Sequence, residues 1–142
     1  MHLKSILNHV YPLKSFVYKR ARLVKAAGHP AKIEVEIKPR ANGRPICSKC
    51  GKKRPGYDRQ PAREFEFVPL WGMAVFFIYS MRRVKCPPCG VVVEQVPWAT
   101  GKCQLTTSYR WFLAAWAKRL SWQATADAFK HGWCTVSSVN HR

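Results

Sequence analysis

The chain has 142 residues, and its 25 Lys and Arg against seven Asp and Glu give a formal net charge of +18. A hydrophobic content of 47% excludes wholesale disorder, and the longest uncharged stretch, residues 67–81, is too short to span a membrane and is interrupted by Pro69 and Gly72. A surface this basic attracts polyanions, so nucleic acid is the expected partner, although charge alone does not distinguish DNA from RNA.

The first part of the chain is predicted to contain one helix and two strands. Apolar residues recur at helical spacing over residues 3–10, and Pro12 ends the pattern. Over residues 16–24 and 33–37 the period shortens to two, which is typical of half-buried strands. Residues 28–30 are the expected turn between these strands.

Two Cys-x-x-Cys pairs lie in the middle of the chain, Cys47 with Cys50 and Cys86 with Cys89. Four thiolates in two close pairs can complete a tetrahedral shell around Zn²⁺. An iron site of the rubredoxin type uses the same pairs, but zinc is favoured because a small electron carrier gains nothing from so strong a positive field. The N terminus lacks the apolar segment of an export signal, so the thiols are expected to stay reduced in the cytosol.

The segment between the cysteine pairs is predicted to begin as an exposed loop, residues 51–62, which is basic and rich in turn residues. Its consecutive bases Lys52, Lys53 and Arg54 are candidate contacts for the phosphates of DNA. A generic solvated basic surface, as in many ribosomal proteins, is the alternative interpretation of these charges.

A hairpin is predicted next, with residues 63–67 as its first strand and the aromatic and β-branched residues 74–85 as its second. The second strand leads directly into Cys86, so the hairpin carries one cysteine pair to the other. This is the architecture of a zinc ribbon, in which the metal supplies folding energy that short strands lack. Residues 1–100 are therefore expected to form N-terminal strands and a zinc ribbon.

Helices are predicted after a linker near residue 101. Thr106 or Thr107 can cap a first helix, which has one apolar stripe. Ser121 can cap a shorter second helix that runs to Phe129.

Residues 121–142 have the spacing of a helix-turn-helix. Ala126 is the small residue where the paired helices approach, and Val136 and Val139 are expected to face inward from the second helix. An ordinary helical hairpin is the alternative. Residues 101–142 are accordingly expected to form a helix-turn-helix DNA-binding domain. The polar residues left to contact base edges in a major groove are Thr135, Ser137, Ser138, His141 and Arg142.

The order of these motifs, together with several local segments, resembles the N-terminal DNA-binding half of the ISL-three family of insertion-sequence transposases. The segments are FEFVPLWG at 65–72, MRRVKC at 81–86, EQVPWA at 94–99, WAKRLSW at 116–122 and WCTV at 133–136. The resemblance implies a zinc ribbon and a helix-turn-helix that bind terminal inverted repeats, ahead of a ribonuclease-H-like catalytic domain with an acidic triad. The chain ends at Arg142, where that domain would begin, so it is expected to bind DNA without catalysing transposition.

The sequence thus predicts an α+β protein, a small antiparallel zinc-ribbon domain followed by an all-α helix-turn-helix domain. Its expected function is sequence-specific binding to the terminal inverted repeats of a mobile element, with Zn²⁺ as cofactor and double-stranded DNA as partner. A homodimer or a catalytic partner chain is a further expected partner, and the expected location is the nucleoid in the bacterial cytoplasm. The alternatives are a stand-alone transcription regulator, an RNA-associated protein and, more remotely, an iron redox carrier.

Overall fold

The computed structural model describes residues 2–129. In this part of the chain three short helices accompany five strands. In chain order the elements are α1 (Leu3–Val10), β1 (Phe16–Ala26), β2 (His29–Pro39), β3 (Gly56–Leu70), β4 (Met73–Cys86), β5 (Gly90–Val93), α2 (Thr107–Ala117) and α3 (Trp122–Phe129).

The five strands form one mixed sheet around β4. The pairs β1–β2 and β3–β4 are antiparallel hairpins, and a parallel pairing of β2 with β4 joins them, from Lys32 beside Ala74 to Glu36 beside Ile78. The strand order is β1-β2-β4-β3, and β5 pairs antiparallel with the C-terminal end of β4. Because β3 occupies one edge of β4 along its length, β2 and β5 share the other edge.

The fold class expected from the sequence, a small antiparallel zinc-ribbon domain followed by an all-α helix-turn-helix domain, is wrong. The structure is instead mainly one five-stranded mixed sheet with three short helices. Alternating apolar residues reveal that a segment is a strand but not which strand it pairs with, so the parallel β2–β4 pairing has no local signal. Helix α2 also joins the sheet through its cap, since the N–H of Thr106 donates to the carbonyl of Glu66 at 2.9 Å. The division into residues 1–100 and 101–142 stays a prediction.

The two ends of β4 face different hydrophobic clusters. Its odd-numbered residues from Val75 to Met81 face the main core, whose centre is the fully buried Trp98. Its even-numbered residues Val84 and Cys86 belong to a separate cluster with Cys47. Successive side chains of a strand alternate between its faces, so the cysteine cluster lies on the opposite face of β4 from the main core.

Strand β3 is longer than predicted. It begins at Gly56, so seven of the twelve residues of the expected loop over residues 51–62 are strand, paired with the C-terminal half of β4. Every residue from 56 to 62 is exposed. Exposure on both faces removes the alternation of apolar and polar residues from which a strand is predicted.

The predicted helices within the described residues are confirmed. The Thr106 side chain caps α2 by accepting a hydrogen bond from the N–H of Tyr109 at 3.3 Å. The Ser121 hydroxyl accepts one from the N–H of Ala124 at 3.0 Å at the start of α3. The second helix of the expected helix-turn-helix lies outside the described residues. No helix among residues 2–129 is long and apolar enough to cross a bilayer.

Candidate metal centre and nucleic-acid interface

The four predicted metal ligands come together at one end of the sheet. The Sγ atoms of Cys47, Cys50, Cys86 and Cys89 all lie within 4.8 Å of one another, and those of Cys50 and Cys86 are 3.6 Å apart. A tetrahedral ion with metal–sulfur bonds of about 2.3 Å places its ligand sulfurs about 3.8 Å apart. The four residues therefore fit a tetrahedral tetrathiolate site.

Each cysteine pair is held by a tight turn that ends in glycine. At the first pair, the N–H of Gly51 donates to the carbonyl of Cys47 and the N–H of Cys47 donates to the carbonyl of Lys52, both at 2.9 Å. At the second pair, β4 ends at Cys86 and Gly90 begins β5. The φ angles of Gly51 and Gly90 are +71° and +81°, a backbone conformation that a side chain would strain.

The surroundings of the cluster favour thiolate at Cys50, on its exposed edge, but not at Cys89, where burial and the neighbouring sulfurs raise the pKa of the thiol to about 12. A hydrogen bond from the backbone of Lys52 lowers the pKa of the Cys50 thiol to about 6, and contacts with the other sulfurs and with Arg54 act in the same direction. Thiolate is the form of cysteine that binds a metal. Cys47 and Cys86 are fully buried behind this edge, so the site has one open side.

A buried charged network ties the first cysteine pair to the sheet. The Glu94 carboxylate is wholly buried, accepts from the Tyr79 hydroxyl at 2.5 Å and pairs with the Arg82 guanidinium at 2.9 Å. Burial and the bond to Glu94 raise the pKa of the Tyr79 phenol. Arg82 also donates to the carbonyl of Gly43 at 3.0 Å, and Glu94 forms an isolated backbone bridge with Cys47.

Sequence reasoning did not assign this network. A glutamate among apolar residues just after β5 was the available signal, because a buried carboxylate requires charged and hydrogen-bonding partners. The partners themselves lie on β4, and the pairing of β4 with β5 is what brings them into contact.

The three predicted phosphate contacts lie beside the metal ligands but differ from one another. Lys52 and Lys53 are exposed, whereas Arg54 is half-buried with its Nε atom shielded from solvent. A hydrogen bond between Arg54 and the Cys50 sulfur raises the pKa of the guanidinium. The two lysines are thus available to a ligand in solvent, while the Arg54 charge is directed toward sulfur.

Basic residues are concentrated at this end of the molecule. Glu34 and Glu36 on β2 form ion pairs with bases of β1 on the sheet face opposite the main core. By contrast, residues 37–57 contain seven bases and no Asp or Glu. These bases are Lys38, Arg40, Arg44, Lys49, Lys52, Lys53 and Arg54. The cysteine end therefore carries a concentration of positive charge, and such a surface attracts polyanions.

The five predicted base-reading residues, Thr135, Ser137, Ser138, His141 and Arg142, lie outside the described residues. Their contact with base edges therefore stays a prediction.

No protein-family model matches the chain, and no solved structure is significantly similar to it. The chain is similar to the transposase for insertion sequence element IS1557 from two strains of Mycobacterium tuberculosis, CDC 1551 / Oshkosh and H37Rv. The identity is 29% over 114 residues in each case, which is 80% of this chain and 26% of each relative. The chain thus spans about a quarter of the length of the curated relatives it matches. These matches support a relationship with insertion-sequence transposases.

Proposed function

We propose that the chain is a metal-stabilised DNA-binding part of an insertion-sequence transposase of the ISL-three type, which binds the terminal inverted repeats of its element. The observation that carries this proposal is the cluster of four cysteines within 4.8 Å, two of which lie in a segment of seven bases without a carboxylate. The similarity to two transposases supports the part of the proposal that relates the chain to insertion-sequence transposases. Binding is the role of this chain, and strand cleavage belongs to other parts of such a transposase.

Zinc is the metal that suits this site best. Four sulfur ligands complete the coordination of Zn²⁺ and leave no position for substrate, which makes the site structural. Iron in the same shell absorbs visible light and zinc does not, so the colour and metal content of the purified protein distinguish the two. One equivalent of zinc in a colourless protein is the expected result, and a red protein containing iron would contradict it.

In this proposal two sets of residues make different contacts with DNA. Exposed Lys52 and Lys53 contact phosphates, which fix the position of the protein but carry no sequence information. Thr135, Ser138 and Arg142 contact base edges, with Ser137 and His141 beside them, a role that the chemistry of these side chains supports. The chain acts in the bacterial cytoplasm, where the element and its ends are.

Selection of DNA from its own genome is the direct test. The 142-residue chain, loaded with zinc, is incubated with sheared genomic duplex, and the bound fragments are sequenced. Enrichment of the paired ends of one mobile element is the expected result. Enrichment of promoter regions would favour a transcription regulator, and preferential recovery of RNA from a mixed pool would favour an RNA-associated protein.

Replacing the lysines distinguishes contacts with phosphates, which position the protein, from contacts with base edges, which recognise sequence. Lys52→Ala and Lys53→Ala should each weaken binding to all duplexes alike and reduce the slope of log affinity against log salt by about one. Lys25→Ala is the matched control, because Lys25 is also an exposed lysine and lies on β1, far along the sheet from the cysteines. Equal effects of all three variants would contradict a phosphate-binding surface at the cysteine end.

A further inference from the structure

A ribbon with one free edge extends from the metal centre. It consists of residues 56–62 of β3 paired with residues 80–84 of β4, and β5 pairs with the other edge of β4 from Arg83 onward. All seven of these β3 residues are exposed, whereas Phe65, further along the same strand, is buried in the main core. Solvent therefore reaches both faces of this strand, and the outer edge of β3 is also an edge of the sheet.

One arginine on this ribbon is held in a fixed orientation. The Nε atom of Arg83 donates to Oδ1 of Asp58 at 2.6 Å, and its Nη2 atom donates to Oδ2 of the same carboxylate. The guanidinium also lies over the Tyr57 ring, 5.5 Å from its centroid. Nη1 takes no part in the pair with Asp58, and both partners remain more than one-third exposed. The end of the guanidinium can thus donate to a ligand while its other side stays bound to Asp58.

The charge around this arginine favours an anionic ligand. Asp58 is the only carboxylate between residues 37 and 63, and its charge is matched by Arg83. Arg59 lies on the same ribbon and Lys85 directly follows it on β4, and both are exposed. On the open sheet face, by contrast, two carboxylates, Glu34 and Glu36, each pair with two of the surrounding bases.

We propose that this ribbon enters the major groove of duplex DNA, with Arg83 donating to a guanine and with Arg59 and Lys85 contacting phosphates. The inference rests on the proposed DNA-binding function. It adds which surface binds DNA and which side chain recognises a base. Strands of a β-sheet can enter the major groove, and arginine donating to O6 and N7 of guanine is the commonest specific contact. A guanidinium already held by Asp58 and Tyr57 loses little freedom on binding, so the contact is preorganised.

The test compares Arg83→Ala with Arg22→Ala in the zinc-loaded chain. Each variant is measured on a duplex selected from a random pool by the unaltered protein and on a scrambled duplex. Arg83→Ala should lower affinity for the selected duplex about 10- to 100-fold, with a much smaller loss on the scrambled one. Arg22→Ala, which removes an exposed arginine from an ion pair on the open sheet face, should change neither affinity by more than about twofold.

Two further variants keep the result interpretable. Arg83→Lys retains the charge but not the planar fork, so it should lose selectivity nearly as Arg83→Ala does. Asp58→Asn should lower selectivity several-fold because it leaves Arg83 present but less firmly held. Bound zinc and circular dichroism establish that each variant is folded.

Three outcomes would overturn the inference. They are equal losses on both duplexes for Arg83→Ala, full selectivity of Arg83→Lys, and an effect of Arg83→Ala no larger than that of Arg22→Ala. In each of these cases DNA binding by the chain itself would survive. Failure of the unaltered chain to bind any duplex would instead refute the proposed function, and the ribbon inference with it.

Discussion

Arg54 differs from the two lysines before it because its charged group lies toward the cysteine sulfurs, whereas theirs are exposed to solvent. A tetrathiolate site around a divalent ion carries net negative charge, and a nearby guanidinium hydrogen-bonded to sulfur offsets it. Arg54 is half-buried, its backbone N–H donates to the carbonyl of Pro45 at 3.0 Å, and the interaction of its guanidinium with the Cys50 sulfur raises the pKa of that guanidinium. The residue is therefore built into the metal site.

Replacing Arg54 should affect the metal more than the DNA. Arg54→Ala should lower metal affinity about 10-fold, since loss of a residue hydrogen-bonded to a metal ligand typically costs 10- to 100-fold. Competition with a coloured chelator measures this affinity, and Lys52→Ala is the control that should leave it unchanged. If Arg54→Ala instead reduces the salt slope of DNA binding and leaves metal affinity intact, Arg54 contacts phosphate as the sequence predicts.

The buried network of Glu94 positions the arm that carries the first cysteine pair. The Glu94 side chain binds Arg82, and Arg82 donates to the carbonyl of Gly43. The Glu94 backbone pairs with Cys47. The second cysteine pair needs no such device because β4 leads directly into Cys86. The network thus sets the distance between two cysteine pairs that are remote in sequence.

Removing the Glu94 charge should destabilise the protein and weaken the metal site together. Glu94→Gln leaves the mostly buried Arg82 guanidinium without a counter-charge, which costs about 3–5 kcal/mol in the free energy of unfolding. Tyr79→Phe removes one hydrogen bond to the same carboxylate and should cost about 1–2 kcal/mol. Urea unfolding followed by circular dichroism and chelator competition measure the two effects.

The exposed pair of Arg22 with Glu34 supplies the control for this network. Arg22→Ala should change the free energy of unfolding by less than about 1 kcal/mol, because solvent screens the pair. Should Glu94→Gln prove as mild as Arg22→Ala, or leave metal affinity untouched, the network does not position the cysteines.

The elements differ in how far the sequence predicts them. The caps at Thr106 and Ser121 have a local cause, a hydroxyl three residues before the N–H it accepts from, and both are confirmed. The cysteine cluster follows from two spacings and is also confirmed as a group that could hold a metal. The first half of β3 was missed because residues 56–62 have no buried face, and nothing in them alternates.

At the scale of the whole molecule, no local sequence pattern specifies which strands pair with each other. The parallel contact of Val35 with Phe77 joins residues from two hairpins and depends on the packing of both against Trp98 and the rest of the main core. An interpretation built on the cysteine pairs alone makes the metal the centre of the fold. Among the described residues, however, fifteen buried residues form the main core and three form the cluster at the cysteines. A metal bound by the four cysteines would therefore stabilise one end of a sheet that has its own core.

Removing the metal should accordingly unfold one end of the molecule and spare the other. Without the ion, the four thiols lose the bonds that hold residues 43–55 against the end of β4, while the main core lies on the opposite face of that strand. Hydrogen exchange followed by mass spectrometry should show fast exchange in peptides from residues 43–55 and 86–93 after chelation, with slow exchange kept in peptides from β2 and the first half of β4. DNA affinity should fall more than about 10-fold at the same chelator concentration, because the lysines and the ribbon lose their fixed positions. Cys47→Ser should reproduce both effects, and Cys103→Ser, a half-buried thiol outside the cluster, should reproduce neither. Loss of protection throughout the sheet on chelation would mean that the main core cannot hold the strands together without the metal.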